Sequence, residues 1–480
     1  MWRQWPLAAP KPWIRTSAGS RRSPSTRQWQ WCSRQCQLPC SPQWAPAGDG
    51  ADSLERGDGA AVRSGGLGSG LTPEPDPDLD SDGVTNGVAD AVRGRPASAH
   101  YREGAALLAP GTGFFRPESR PSRDLGVLLA AVLPGLSAPA PAAALPVLDL
   151  MAGCGIRALR YGLEAGARSV WANDADADRL PWLRHNLQPL AATDCRVRST
   201  ALTAQKLLAR CLLAERRFGL VDLDAFGCPT PLVAPALEAL HFDGVLYLAS
   251  TDGRSPTGHD RPAAVRSLGA AARAHPASWE LALRLQLAVV ARAAWALGRG
   301  IRPLFSFSEG RTFRTAIQLL RRPAPREEEQ LGLLAHCHRC GEQASQSLLR
   351  LRHWPPCACG GREGASTEAI SGPLWLGPLQ HAPTLAAMLQ RAEAVPPEWV
   401  SRPSRRLLQA LHDDPGLPVR CWPTAELGRR LSAGPPATEA LLAALRAEGY
   451  TALRSGVMAG QFRCNAPWSR VLELAAALNR

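Results

Sequence analysis

The stretch Val147-Leu148-Asp149-Leu150 runs into Gly153-Cys154-Gly155 and then into an amphipathic segment, carrying Ile156, Leu159 and Leu163, that stops near Gly166. Apolar strand, glycine turn and helix in that order form one unit of a parallel sheet, with the glycines letting the backbone approach a ligand at the helix start. The loop matches G-x-G-x-x-A through Ala158, and Asp174 lies 19 residues past Gly155, at the end of a second strand expected over 169–172. An acid at that place meets a ribose diol. Both a nicotinamide dinucleotide and S-adenosylmethionine present such a diol, so the spacing alone does not separate them. Asp149, four residues before Gly153, favours S-adenosylmethionine, whose sulfonium and ammonium are positive where a dinucleotide brings pyrophosphate. The cofactor's carboxylate would then sit near the helix N-terminus and Arg157. The plainer alternative is that Asp149 and Arg157 are surface charges beside a turn.

Further elements follow from periodicity. Helices are expected over 125–133, 180–190, 204–213, 232–240 and 279–297, and strands over 220–223, 245–249, 303–307 and 313–320. Strands alternating with helices imply an α/β fold whose mostly parallel sheet is wound on both faces. After residue 322 the pattern gives way to a cysteine cluster and a helical C-terminal part, with Thr438 expected to cap a helix over 439–447 and Gly449 to stop it. No internal repeat is visible.

The strand over 220–223 delivers Asp222-Leu223-Asp224-Ala225-Phe226-Gly227 to the C-terminal edge of the sheet, where open α/β sheets bind ligands. An exocyclic amine of a nucleobase is a poor nucleophile because its lone pair is delocalised into the ring. A carboxylate accepting one N–H and a backbone carbonyl accepting the other favour the attacking geometry. Asp224 and the Ala225 carbonyl are the expected pair, with Phe226 stacking on a base lifted from its helix. An acid at a strand end can also be only a helix cap, which the glycine loop upstream argues against.

With these residues in place the chain resembles the tRNA guanine-26 N2-dimethyltransferase family. The match runs through Phe114-Phe115-Arg116-Pro117, Ser122-Arg123-Asp124-Leu125, residues 149–160, Ala172-Asn173-Asp174, residues 222–227, Ser250-Thr251-Asp252, residues 303–307, Phe313-Arg314, Gly372-Pro373-Leu374-Trp375 and Asn465-Ala466-Pro467-Trp468. Order and spacing carry it rather than any single motif. The resemblance implies a class I S-adenosylmethionine-dependent methyltransferase (Rossmann-like) domain with a family-specific C-terminal domain, and methylation of the N2 amine of a tRNA guanine. Together with the cysteine cluster, the expected fold is α/β, that domain with a smaller zinc-containing α+β C-terminal domain. The resemblance also implies that Arg123 and Arg157 reach the cofactor and that Asp174 holds its ribose. The chain departs from the family twice. Ala225 stands where the family usually has proline, so that turn loses a fixed φ. Thr200-Ala201 stands where Asp-Ala is common, leaving a hydroxyl to meet the adenine amine.

Cys337, Cys340, Cys357 and Cys359 come close to a two-knuckle zinc pattern, in which thiolates from two turns complete a tetrahedron. The second knuckle, C-x-C, is one residue short, so His336, His338 or His353 is a possible substitute ligand. A structural zinc is expected here, against a metal-free remnant. Methyl transfer from a sulfonium needs no Lewis acid.

Charge divides the chain. Seven basic residues and no acid fill residues 1–48, whereas residues 49–100 are acidic and rich in Gly and Pro, and the net charge of +13 leaves the remainder basic. Residues 1–45 read as an organelle transit peptide, plastid before mitochondrion, and 46–98 as a linker. The methyltransferase domain is placed at 99–322 and the C-terminal tRNA-binding domain at 323–480. A basic surface favours a polyanion, although only Lys11 and Lys206 are lysines, and such arginine dominance can equally reflect coding bias. The partner expected is tRNA; no apolar stretch reaches the ~20 residues of a membrane span, and no protein partner is inferable. Two other readings stay open: a methyltransferase acting on another RNA amino base, and an RNA-binding relative that has lost turnover.

Overall fold

The computed structural model describes residues 100–111, 113–136, 145–360 and 368–479. The expected transit peptide and linker lie outside them. A short hairpin, β1 (Tyr101–Glu103) and β2 (Ala106–Leu108), leads to helix α1 (Arg120–Leu136). The alternating part follows: β3 (Pro146–Asp149), α2 (Ile156–Ala165), β4 (Ser169–Asn173), α3 (Leu180–Leu187), β5 (Arg196–Thr200), α4 (Ala204–Leu213), β6 (Phe218–Ala225), α5 (Thr230–Glu238), β7 (Leu240–Ser250), α6 (Arg261–Leu268), α7 (Ser278–Ala296), β8 (Gly300–Glu309) and β9 (Thr312–Leu320). These strands form one seven-stranded sheet in the order β5-β4-β3-β6-β7-β9-β8. The first five are parallel, and the hairpin β8–β9 joins antiparallel to β7. The C-terminal ends of β3, β4 and β6 therefore share one edge, which gathers Asp149, Asp174 and Asp224.

Two elements of this layer escape a reading by periodicity. β5 has the sequence Arg-Val-Arg-Ser-Thr and lies at the rim with its first two residues exposed, so it lacks the apolar run of a buried strand. The segment carrying α6 reads as loop because of its Arg and Pro content, yet Asp260 caps it through the Ala263 N–H.

Beyond residue 322 the chain is less helical than expected. A sheet of β10 (Leu331–Cys337), β11 (Gln343–Ser347) and β12 (Glu368–Trp375) precedes α8 (Ala382–Ala394) and α9 (Arg402–His412). A second small sheet, β13 (Cys421–Pro423), β14 (Ala452–Arg454) and β15 (Gln461–Cys464), is interleaved with α10 (Thr424–Leu431), α11 (Thr438–Ala447) and α12 (Trp468–Leu478). Thr438 is not the cap of α11: the extended backbone that a capping residue needs falls at Ala437, and Thr438 is already helical. Apolar packing does not stop at residue 322, for Leu334, Trp375, Val419 and Val457 belong to the same core as Leu148, Leu223 and Leu281.

Helix α7 is apolar almost all round and buried along most of its length, which obliges its two buried charges, Glu280 and Arg284, to find partners. Glu280 accepts from Arg284 and from both terminal nitrogens of Arg463, and the Arg463 Nε reaches Asp414 at 2.7 Å. Arg284 also donates to the carbonyls of Trp375, Gly377 and Gly416. Four buried charges thus hold residues 375–463 against the helix backing the sheet.

Candidate active site

The glycine loop begins where β3 ends. Gly153 and Gly155 have φ of 56° and 83°, the left-handed region that side chains disfavour. A Cβ on Gly155 would stand 3.1 Å from Leu183, whereas one on Gly153 would meet open space. Asn173, fully buried, staples the loop: its Nδ2 donates to the Leu150 and Leu202 carbonyls, and its own carbonyl accepts the Ala152 N–H at 2.7 Å. Asp174 accepts the Gly153 N–H at 2.9 Å through one oxygen and the Asp176 N–H through the other. The acid expected to face a ribose is therefore tied to the glycine backbone, half-exposed at the sheet edge.

Several expected cofactor residues are engaged differently from the sequence reading. Asp149 is buried and accepts the Ala158 N–H at 3.2 Å. Burial, then neighbouring Asp222, pushes its carboxyl well above the ordinary range. The Thr200 hydroxyl is already occupied, donating to Asn173 Oδ1 and accepting from Trp171 Nε1; Ala201 follows it, half-exposed. Arg123 is buried, bound to both oxygens of Glu103 and to the Arg116 and Pro117 carbonyls. Arg157 departs furthest from expectation. Its guanidinium holds Asp224 at 2.9 Å, Asp222 at 3.3 Å and the Ser122 hydroxyl at 3.3 Å, because α2 aims it at the end of β6 rather than at the loop.

Asp224 is the centre of the constellation. Both Arg157 and Arg314 donate to its Oδ2. Oδ1 has no hydrogen-bond partner among the described residues, and the side chain is 28% exposed. Burial opposes ionisation, but Arg314 and Arg157 outweigh it and hold the carboxyl at about 2. The group is a fixed anion with one oxygen clamped and the other offered outward. Beside it Phe226 is 75% exposed and lies edge to face with Phe114, itself 67% exposed, at 5.4 Å between ring centres. Two exposed aromatics flanking a carboxylate suit a planar base.

Sequence reasoning assigned no role to Phe114 or Arg314. Phe114 is more than a hundred residues from Phe226. Arg314 carried a usable signal, being the one charged residue in a strand that is otherwise uncharged and largely buried, so it must find a buried acid.

The turn after Asp224 is clamped from β7. Gly227 donates its N–H to Thr251 Oγ1 at 2.6 Å, and its carbonyl accepts from Thr251 N and Ser250 Oγ. With alanine at 225 leaving φ free, these bonds fix where Phe226 and the Ala225 carbonyl point. Thr251→Val removes one acceptor, a loss of about 1 kcal/mol, so kcat is expected to fall three- to tenfold with cofactor affinity unchanged. Adding Ala225→Pro should recover most of it. Steady-state kinetics of both variants check this, and an unchanged kcat in Thr251→Val contradicts it.

The four cysteines converge. Their sulfurs lie within 4.8 Å of one another, Cys337 to Cys359 at 3.7 Å and Cys340 to Cys357 at 3.4 Å. A tetrahedron with metal–sulfur bonds of ~2.3 Å spaces its sulfurs ~3.8 Å apart, so the short C-x-C knuckle is no obstacle. His336 instead stacks on His275.

A family model for N2,N2-dimethylguanosine tRNA methyltransferase matches residues 97–476. The tRNA (guanine(26)-N(2))-dimethyltransferase of Methanoregula boonei is 30% identical over 371 residues, covering 76% of this chain and 92% of that protein. The enzyme of the same name from Pyrococcus furiosus is 27% identical over 375 residues, covering 75% and 92%. The solved complex of Trm1 from Pyrococcus horikoshii with S-adenosyl-L-methionine shares the fold, with a TM-score of 0.66 at 24% identity over 78% of this chain and 99% of that one.

Proposed function

Since the chain belongs to the N2,N2-dimethylguanosine tRNA methyltransferase family, we propose that it methylates N2 of guanine 26 in tRNA and that Asp224 orients the amine. It is an S-adenosylmethionine-dependent tRNA guanine N2-methyltransferase. The carrying observation is the asymmetry of Asp224, whose Oδ2 takes two guanidiniums while Oδ1 is unengaged among the described residues.

The residues at the sheet edge fit the cofactor. Asp222 Oδ1 is buried without a partner, beside Asp149 in register on the next strand, and open space lies over Gly153. Two under-partnered acids beside an open glycine suit a positively charged amino acid moiety. Gly153, Gly155, Asp174 and Ala201 would hold the nucleoside, with Arg123 and Arg157 ordering the wall behind it. When bound, S-adenosylmethionine supplies an electrophilic methyl on a sulfonium. Asp224 Oδ1 accepts one N2–H and the Ala225 carbonyl the other, leaving the nitrogen lone pair aimed in line. Phe114 and Phe226 hold the base plane. As N2 gains carbon it loses a proton; with its carboxyl near 2, Asp224 relays that proton to water rather than keeping it. Incubating the protein with an unmodified tRNA transcript tests the assignment: methyl incorporation is expected with guanine at position 26 and not with adenine there.

We further assign zinc to Cys337, Cys340, Cys357 and Cys359 as a structural ion, since protein ligands fill all four positions. Protein purified without chelators should contain one zinc per chain, and Cys337→Ser should lower the melting temperature more than the turnover of the folded fraction. Metal analysis without zinc contradicts this.

Residues 1–45 remain a proposed import signal, for a plastid before a mitochondrion. A chain starting near Ala97 is expected to methylate tRNA as the full chain does. A markedly shallower salt dependence of tRNA binding in that chain would make the basic leader an RNA-binding arm instead.

A further inference from the structure

The opposite edge of the main sheet carries its own pattern. Arg168 precedes β4, Arg196 opens β5, Arg216 and Arg217 precede β6, and Arg321 and Arg322 follow the antiparallel β9, so all six lie where the parallel strands begin. None makes an ion pair among the described residues; the Arg217 guanidinium reaches only the Arg216 carbonyl. The acids in the same turns are Asp194, Glu215 and Asp243, with Glu238 at the end of α5, so the six arginines outnumber them. β6 is eight residues long, which sets the two edges about 23 Å apart.

An aromatic stands among these arginines. Pairing of β6 with β7 jumps from Phe218–Leu240 to Leu220–Val245, so residues 241–244 leave the ladder as an extra turn opposite Gly219 alone. Asp243 adopts a φ of 64° there, a strained conformation for a residue with a side chain. The excursion leaves Phe242 38% exposed, with the guanidiniums of Arg321 and Arg299 over its ring at 4.3 and 5.2 Å. An exposed ring capped by guanidiniums within a band of unpaired arginines is what single-stranded nucleic acid uses: charge for the phosphates and a planar stack for a base.

We infer that this edge, which holds none of the catalytic residues, is a second RNA-binding surface, in which the arginines take phosphates and the Phe242 stack takes an unpaired base. The inference rests on the tRNA methyltransferase reading and adds to it a binding surface that sets affinity, not chemistry.

The test measures tRNA binding against salt and turnover at saturating tRNA for Arg216→Glu/Arg217→Glu, Arg321→Glu/Arg322→Glu and Phe242→Ala. Each arginine pair should flatten the log–log salt dependence by about 1.5 to 2, near one unit for each phosphate no longer neutralised, and raise KM for tRNA about tenfold without changing kcat. Phe242→Ala should weaken binding at least fivefold, the low end for one base–aromatic stack, with the slope unchanged. The pair Arg216→Lys/Arg217→Lys should restore the slope. Unchanged slope and KM in both glutamate pairs, with cofactor binding intact as proof of folding, would overturn the inference. Absence of methyl transfer by the unmodified protein would instead overturn the reading beneath it.

Discussion

Asp224→Asn is expected to lower methyl transfer by about 10² to 10⁴ while leaving the fold and cofactor affinity nearly unchanged. The orientation of the new amide is dictated by its neighbours. Arg157 and Arg314 both donate to Oδ2, so the amide oxygen must take that place and the NH2 must take the place of Oδ1. A donor then faces the amine of the base where an acceptor is required. Single-turnover kinetics with cofactor binding measured in parallel checks this, and turnover within a few-fold of the parent contradicts it. The depressed carboxyl has a second consequence. Because its folded value is about 2, Asp224 stays ionised until the pH falls toward 2, so the rate should show no acid limb from this group between pH 5 and 8.

Arg463→Met is expected to destabilise the protein by about 3–5 kcal/mol, the cost of leaving buried charge unpaired. Arg463 bonds Glu280 and Asp414 with none of the four side chains appreciably exposed, and methionine offers neither acid a donor. Burial raises the Glu280 carboxyl, but Arg463 and Arg284 outweigh it and the net shift is downward. A depressed carboxylate contributes stability above its unfolded value and loses it as the pH falls. The gap between parent and variant should therefore narrow below about pH 4. Denaturant titration at pH 7 and pH 3.5 measures both, and a loss below 1 kcal/mol at pH 7 contradicts the role given to the cluster.

Much of the architecture was legible because its signals are local. Apolar strands that run into the Gly153 loop or carry Asp224 near their end announce themselves, and the expected bounds of α4 match those observed, Ala204 to Leu213. The edge strand β5 was not, since Arg196 and Arg198 hide a strand that needs only one covered face. The excursion at 241–244 is equally silent in the sequence, because it depends on Gly219 standing opposite.

The site was legible in its parts and not in its wiring. Asp224 and Phe226 follow from a strand end, but that Phe114 faces Phe226 depends on tertiary placement of residues 113–119. Arg157 looked like a cofactor ligand because it follows the glycine loop. Its reach to Asp222 and Asp224 comes from β6 lying beside β3, whose loop leads into α2, which no local spacing encodes. The hydroxyl of Thr200 looked free for the same reason, since Trp171 and Asn173 claim it from the neighbouring strand.

The central claim is that Asp224 presents the N2 amine of a tRNA guanine for methyl transfer. Its most direct test is nucleoside mass spectrometry, with position mapping, of a tRNA transcript incubated with the purified protein and S-adenosylmethionine. The account predicts N2-methylated guanosine at position 26, absent when Asp224→Asn replaces the parent; methyl on another base, or the same product from both proteins, would contradict it.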